Sequence, residues 1–182
     1  MIKKTILTPK QFNITLHRLV CQILENHLEL SELALVGLQP RGIYLAERIA
    51  SMMRENYKVD NFSLGHLDIT FFRDDFRRNE NPLQANQTKI DFVVEGKQLV
   101  IIDDVLYTGR SVNSALAAIQ AFGRPRQIEL LTLIDRRFSR HLPIQPNYRG
   151  RQVDAFLNES VLVKWKENDG EDGVYVIDKT IK

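Results

Sequence analysis

Two adjacent carboxylates and a hydroxyl-rich turn follow the most apolar stretch of the sequence. The run Leu99–Ile102 predicts a buried parallel strand, and Asp103 and Asp104 come directly after it, followed closely by Thr108–Ser111. Two hydroxyls, a glycine and a guanidinium at the start of a predicted helix attract a phosphate, because free N–H groups and the helix dipole meet there. Carboxylates instead accept hydrogen bonds from hydroxyls. The two halves together predict a site for a sugar phosphate.

The spacing of the two acids adds a geometric condition. Consecutive residues of a strand point to opposite faces, so the backbone must leave strand geometry at about Asp104 if both acids reach one ligand. The alternative is a solvated pair of acids followed by an ordinary capped helix. Other phosphate motifs do not fit, because the chain has no P-loop string and the segment Asp103–Ser111 has one glycine where a dinucleotide fingerprint needs three.

Strands that alternate with helices predict an α/β fold with a mainly parallel central sheet. The first helix is signalled by Thr8, Pro9 and Gln11, which form a capping box with proline at the first helical position. A second helix is expected from about Ile43 to Asn56, and a third up to Ala121. Strands are expected at 33–38, 128–134, 161–165 and 174–177, with an extended segment at 59–72 and a hairpin turn at 168–170.

Composition is that of an ordinary globular protein. The chain has 182 residues, of which 43% are hydrophobic and 26% are charged, and its net charge is +2. We expect a single domain over 1–182, with a polar connection at about 73–96 and a C-terminal hairpin at about 161–177. One cysteine excludes an internal disulfide framework. No apolar run is long enough to cross a bilayer and no signal peptide is evident, so we expect a cytoplasmic protein without membrane contact.

The segment at 100–111, VIIDDVLYTGRS, resembles the PRPP-binding signature of the type I phosphoribosyltransferases. The fuller similarity is to the PyrR group, the pyrimidine operon attenuators that are also uracil phosphoribosyltransferases. It extends over about positions 5 to 165, with supporting stretches at 36–46, 67–75, 122–125, 134–136 and 142–144. The resemblance implies the type I phosphoribosyltransferase fold with a small hood subdomain. It also implies transfer of ribose 5-phosphate from PRPP to uracil, giving UMP and pyrophosphate, by a homodimer with Mg²⁺ bound to PRPP.

The resemblance also assigns roles to individual residues. Asp103 and Asp104 would hold the ribose and favour its developing positive charge, and the hood loop at 73–96 would close over the site. The residues expected at the ribose and 5′-phosphate are Val105, Leu106, Tyr107, Thr108, Gly109, Arg110 and Ser111. The residues expected at the pyrophosphate are Pro40, Arg41, Gly42 and Arg73. Arg136 and Val161 are expected at the base. Position 40 is usually threonine in the group. Proline there predicts a cis bond after Gln39, because cis is far less costly before proline.

A basic stretch at 136–151 contains five arginines, one histidine and no acid. Such a patch can bind RNA phosphates, and the resemblance suggests a pyrimidine operon mRNA leader as the ligand. The residues expected at this RNA face are Arg18, Arg137, Arg140, His141 and Arg149. The chain departs from the PyrR pattern at 17–21 and at 137–141, both on that face. Two alternatives therefore stay open: a phosphoribosyltransferase for hypoxanthine or orotate, and an RNA-binding regulator with vestigial catalysis.

Overall fold

The computed structural model describes residues 2–72, 86–156 and 158–178. Its strands are β1 (Ile2–Leu7), β2 (Leu33–Leu38), β3 (Ser63–Leu67), β4 (Gln98–Leu106), β5 (Gln127–Arg137), β6 (Tyr148–Asp154), β7 (Glu159–Lys164) and β8 (Gly173–Asp178). Its helices are α1 (Pro9–Asn26), α2 (Gly42–Tyr57), α3 (Arg110–Ile119) and α4 (Lys166–Asp169), with short 3-10 turns at Leu30–Glu32 and Thr70–Phe72. Within these residues no helix is long and apolar enough to span a membrane.

Two sheets organise these elements. The larger has the order β3-β2-β4-β5-β6 and all of its strand pairs are parallel. The smaller has the order β1-β8-β7 and is antiparallel. The predicted α/β fold with a mainly parallel central sheet is therefore confirmed.

Strand β4 shows how the core is divided between the two faces of the larger sheet. Leu99 and Ile101 belong to an apolar cluster that includes the buried face of α3. Val100 and Ile102 belong to the other cluster, which includes α1, α2 and the smaller sheet. All four side chains are buried, as expected of a parallel strand covered on both faces.

The chain direction creates a crevice between β2 and β4. From β2 the chain crosses through α2 to β3 on one side, whereas from β4 it crosses through α3 to β5 on the other side. The two crossover helices therefore diverge beyond the carboxyl ends of β2 and β4. Ligands of open α/β sheets bind at such a topological switch point.

The local predictions hold best where caps and periodicity are strong. The capping box of α1 is present, with the Thr8 side chain accepting from the Gln11 N–H. The extended prediction at 59–72 is too long, because only Ser63–Leu67 is a strand and Thr70–Phe72 is a 3-10 turn. The connection of the C-terminal hairpin is the short helix α4 with Gly170 after it rather than a tight turn. Strands β1 and β6 were not predicted, because both are edge strands with many polar residues.

Candidate active site

Two loops meet at the crevice between β2 and β4. The first follows β2 and leads into α2 at Gly42, where a Cβ atom would lie 2.5 Å from the carbonyl oxygen of Ile102 and 3.1 Å from the Cα of Asp103. Glycine therefore allows the first turn of α2 to lie against β4 where the two acids begin. The Gln39–Pro40 peptide bond in this loop is cis, as the sequence predicts.

The second loop follows β4 and encloses a cavity of about 170 Å³. The left-handed backbone of Gly109 (φ 91°) caps the start of α3, and the Arg110 N–H donates to the Thr108 hydroxyl at 3.4 Å. Asp103 at the end of β4 and the first turn of α3 therefore line the same cavity. The cavity is lined by Asp103, Val105, Leu106, Tyr107, Thr108, Gly109, Arg110, Ser111, Val112 and Ser114.

A loop after β5 covers this second loop from outside. The guanidinium of Arg140 donates to the carbonyl oxygen of Tyr107 at 2.5 Å, and the His141 N–H donates to that of Thr108 at 3.0 Å. A Cβ atom on Gly109 would meet Ile144 at 3.3 Å, so the cover is close. The shape of the cavity therefore depends on the segment that follows β5.

The two adjacent acids are not oriented alike. Pairing between β4 and β5 continues through Val105 and Leu106, so the backbone does not leave strand geometry at Asp104. The predicted departure from strand geometry at Asp104 is therefore wrong, because the parallel ladder keeps the strand extended. The two side chains leave β4 on opposite sides, so a ligand that meets both acids must lie across the end of the strand. Asp103 lines the cavity. The Asp104 carboxylate instead lies 3.5 Å from Nε of Arg41.

Burial dominates the electrostatics of this pair. It raises the pKa of Asp103 to about 8, with the charge of Asp104 as a second cause, although the Asp104 N–H donates to the Asp103 carboxylate at 3.0 Å. Burial also raises the pKa of Asp104, while the Arg41 guanidinium acts in the opposite direction. Strongly shifted acids in a crevice are typical of functional sites.

Arg41 is turned towards the smaller sheet. Its Nη2 donates to the carbonyl oxygen of Val163 at 2.5 Å and to the Asp169 carboxylate at 2.9 Å. With Asp104 on its other side, the guanidinium lies between two carboxylates. Its neighbour Pro40 lies in the same loop, whereas Arg73 falls outside the described residues.

Of the two residues expected at the base, Arg136 lies beside the second loop and Val161 lies on β7. Arg136 is buried, and its guanidinium lies 4.1 Å from the centre of the Tyr107 ring. It donates to the carbonyl oxygen of Glu159 at 3.2 Å, while burial lowers its pKa. Val161, two residues further along β7, is half-buried and packs against the core. Tyr107 thus joins the predicted phosphate loop to the predicted base side.

The candidate RNA residues cluster, but with internal partners. Arg137, Arg140 and Arg149 line a cavity of about 610 Å³. Arg137 pairs with Asp154 at 2.5 Å, and Arg140 and Arg149 both pair with Asp135. Acids that flank the basic stretch in sequence therefore neutralise part of it in the fold. The remaining two candidates are Arg18, which donates to the carbonyl oxygens of Arg149 and Gly150, and His141, which is exposed.

Two residues near the acids gave no sequence signal. Asp169 binds Arg41, and Trp165 lies close enough to Asp104 to help lower its pKa. Both are more than 60 positions from Asp103 and Asp104, so no local motif connects them.

In the part of the chain that the structure describes, no group of three His, Cys, Asp or Glu residues could hold a metal ion.

Comparison with known proteins identifies the family. The phosphoribosyl transferase domain family matches residues 3–167. The bifunctional protein PyrR of Elusimicrobium minutum is 41% identical over 98% of this chain and 98% of its own length. The bifunctional protein PyrR of Synechocystis is also 41% identical, over 94% of this chain and 95% of its own. The chain belongs to the PyrR family of phosphoribosyltransferases. The predicted family and enzyme class are thereby confirmed, and the predicted function agrees with them.

Solved structures agree with this fold at low sequence identity. A hypoxanthine-guanine phosphoribosyltransferase of Bacillus anthracis superposes with a TM-score of 0.73, at 14% identity over 97% of this chain and 99% of that one. A hypoxanthine phosphoribosyl transferase of Trypanosoma cruzi gives a TM-score of 0.75, at 12% identity over 99% and 93%. At such identities the likeness shows the type I phosphoribosyltransferase fold and says nothing about the base.

Proposed function

We propose that this PyrR-family chain is a uracil phosphoribosyltransferase, which converts uracil and PRPP to UMP and pyrophosphate. The observation that carries the proposal is the cavity bordered by Asp103 at the end of β4 and by the Thr108–Ser111 turn at the start of α3. One end offers a carboxylate to hydroxyls and the other offers N–H groups and hydroxyls to a phosphate. A ribose 5-phosphate has both kinds of group at matching ends.

In this proposal the acids act on the ribose. The bond from C1 of the ribose to pyrophosphate breaks, N1 of uracil releases its proton to water and bonds to C1, and the ribose carries positive charge in between. A positive ribose beside these acids lowers their pKa, so the developing charge favours the ionised carboxylates that stabilise it. The 5′-phosphate held by Thr108–Ser111 is remote from the breaking bond, so its binding energy orients the ribose.

The pyrophosphate would lie at the first turn of α2, facing the backbone of the loop at Pro40, Arg41 and Gly42. A helix N-terminus suits an anion, since its first N–H groups have no partner within the helix. Mg²⁺ keeps several waters and binds through substrate phosphates, so the protein need not supply many of its ligands. The pyrophosphate and ribose oxygens of PRPP would therefore hold it, and it would offset the charge of the leaving group.

The base would lie between the second loop and the smaller sheet. The Nε of Arg136 is buried without a hydrogen-bond partner, so it can donate to a carbonyl oxygen of a pyrimidine. Tyr107 beneath the guanidinium and Val161 on β7 would border the ring. We also propose that the protein is a homodimer and that it is located in the cytoplasm. The cytoplasmic location agrees with the single cysteine, whose thiol is free.

The test is a product assay with each candidate base. The protein is incubated with PRPP and Mg²⁺ together with uracil, hypoxanthine or orotate, and nucleotides are separated by chromatography. We expect UMP from uracil alone. Asp103→Asn should lose most of the activity, while Asp60→Asn, which changes an exposed acid far from the crevice, should retain it. If no base yields a nucleotide, or if the Asp103→Asn variant matches wild type, the proposed function is wrong.

A second function, binding of the pyrimidine operon mRNA leader, is supported by the cavity that Arg137, Arg140 and Arg149 line. RNA binding through phosphates weakens steeply with salt. We expect Arg137→Ala to weaken binding of a leader RNA, measured by fluorescence anisotropy at two salt concentrations. Arg126→Ala is the control, because Arg126 is a similarly exposed, acid-paired arginine that lies just before the start of β5, whereas Arg137 lies at its end. If the two variants bind the leader RNA with equal affinity, and if neither distinguishes the leader from scrambled RNA, this function is ruled out.

A further inference from the structure

The carboxylate of Asp104 has two neighbours that can donate hydrogen bonds to it. One is the guanidinium of Arg41, with Nε at 3.5 Å. The other is the indole of Trp165, which follows the last residue of β7 and helps to lower the pKa of Asp104. Both donors depend on the segment that connects β7 to β8, because Asp169 in that segment binds Arg41 and the backbone of Trp165.

Trp165 is buried, and its indole N–H has no hydrogen-bond partner of normal length. The ring is held firmly from three sides. Phe12 packs edge-on at 5.2 Å between centroids, Tyr44 lies at 6.0 Å, and the Arg48 guanidinium lies 5.1 Å from the ring centre. A buried donor without a partner costs free energy, so its retention beside an acid calls for an explanation.

Asp169, the last residue of α4, controls the other donor. Its carboxylate accepts from Nη2 of Arg41 at 2.9 Å and from the backbone N–H of Trp165 at 2.9 Å. The position of the Arg41 guanidinium and that of Trp165 are therefore fixed by one side chain. The turn itself is held against α2, because Arg48 binds both Glu167 and Asp172 at 2.7 Å.

We propose that Trp165 and Asp169 are positioning residues for Asp104. Trp165 offers its indole N–H to the carboxylate, and Asp169 holds Arg41 beside it as a counterion. The inference rests on the proposed function, in which an oriented Asp104 receives the ribose of PRPP. In this arrangement the Arg41 side chain is the counterion of Asp104, while only the backbone of its loop faces the pyrophosphate.

The test compares three variants of the full-length protein. Trp165→Phe removes the N–H and keeps an aromatic ring, and Asp169→Asn removes the charge that holds Arg41. Glu171→Gln is the matched control, because Glu171 lies in the same connection and binds Lys164 instead of Arg41. We expect kcat/KM for PRPP to fall about tenfold in the first two variants, with a raised KM for PRPP and an unchanged KM for uracil.

The kinetic pattern separates this role from a merely structural one. Partial unfolding would lower kcat and leave both KM values unchanged, and thermal denaturation of each variant measures it directly. Kinetics of Trp165→Phe and Asp169→Asn that match those of Glu171→Gln would overturn the inference, as would a lowered KM for PRPP in Asp169→Asn. Activity of the wild-type protein with PRPP and uracil tests the proposed function separately, since an inactive wild type contradicts that function first.

Discussion

Replacing Asp103 by asparagine should stabilise the fold while it removes activity. Burial raises the pKa of this carboxyl from 3.8 to about 8. The folded state therefore holds a proton that the unfolded state has released between these pH values, and stability falls as the pH rises through this window. The cost is absent below about pH 4 and complete above about pH 8. Asparagine has the same shape and carries no charge, so the variant avoids it.

The size of the effect follows from the pKa. At about 1.4 kcal/mol for each unit of pKa, the shift sets a ceiling of about 6 kcal/mol. Water in the open cavity screens the carboxylate, so we expect Asp103→Asn to gain about 2–3 kcal/mol at pH 9 and almost nothing at pH 4. For a chain of this length that is about 5–10 °C in Tm.

The assay is thermal and urea denaturation of both proteins at pH 4, 7 and 9. Asp104→Asn is the control, because Asp104 has Arg41 as a counterion and its replacement leaves that guanidinium without one of its two carboxylates. This control should gain less than Asp103→Asn or lose stability. A difference between Asp103→Asn and wild type that does not grow from pH 4 to pH 9 would refute the reasoning. A stabilising loss of an acid marks a group that is kept for function.

Two further predictions concern the frame around the site. Gly42→Ala should lower activity and should lower the free energy of unfolding by about 2 kcal/mol or more, because the new methyl group would overlap the Ile102 carbonyl and push α2 away from β4. Kinetics and urea denaturation measure the two effects, and an unchanged denaturation midpoint would contradict the prediction. Arg48→Met should lower the free energy of unfolding by about 1–3 kcal/mol, because Glu167 and Asp172 lose a shared partner. Salt titration checks it, since the difference from wild type should shrink as salt screens these ion pairs.

Much of the candidate site lies in short contiguous segments, which is why the sequence could place its residues together. The strand Leu99–Ile102, the acids after it and the Thr108–Ser111 turn follow one another directly, so the end of a buried strand and the start of a helix could be placed together. The capping box at Thr8 is likewise local. Such features depend on backbone geometry within a few residues, which a single sequence carries well.

The parts that were missed depend on contacts between distant segments. Nothing near Trp165 or Asp169 indicates that they meet Asp104 and Arg41, since only the pairing of β7 with β8 and the docking of α4 on α2 brings them there. The orientation of Asp104 was missed for a similar reason, because the ladder with β5 holds β4 extended past it. The pairing of Arg137 with Asp154 also joins two strands whose proximity the sequence does not reveal.

The smaller sheet joins the strand that is translated first among the eight to the one that is translated last. Strand β1 has only β8 as its neighbour in the described chain, and β8 carries β7 on its other side. The five parallel strands can assemble on the ribosome before β8 emerges, whereas β1 must wait for it. The contacts of Trp165 and Asp169 with the acid and its counterion are completed at that late moment. The turn proposed to bind phosphate would therefore form before Asp104 acquires these neighbours, and the proposed activity would follow only after β8 has been synthesised.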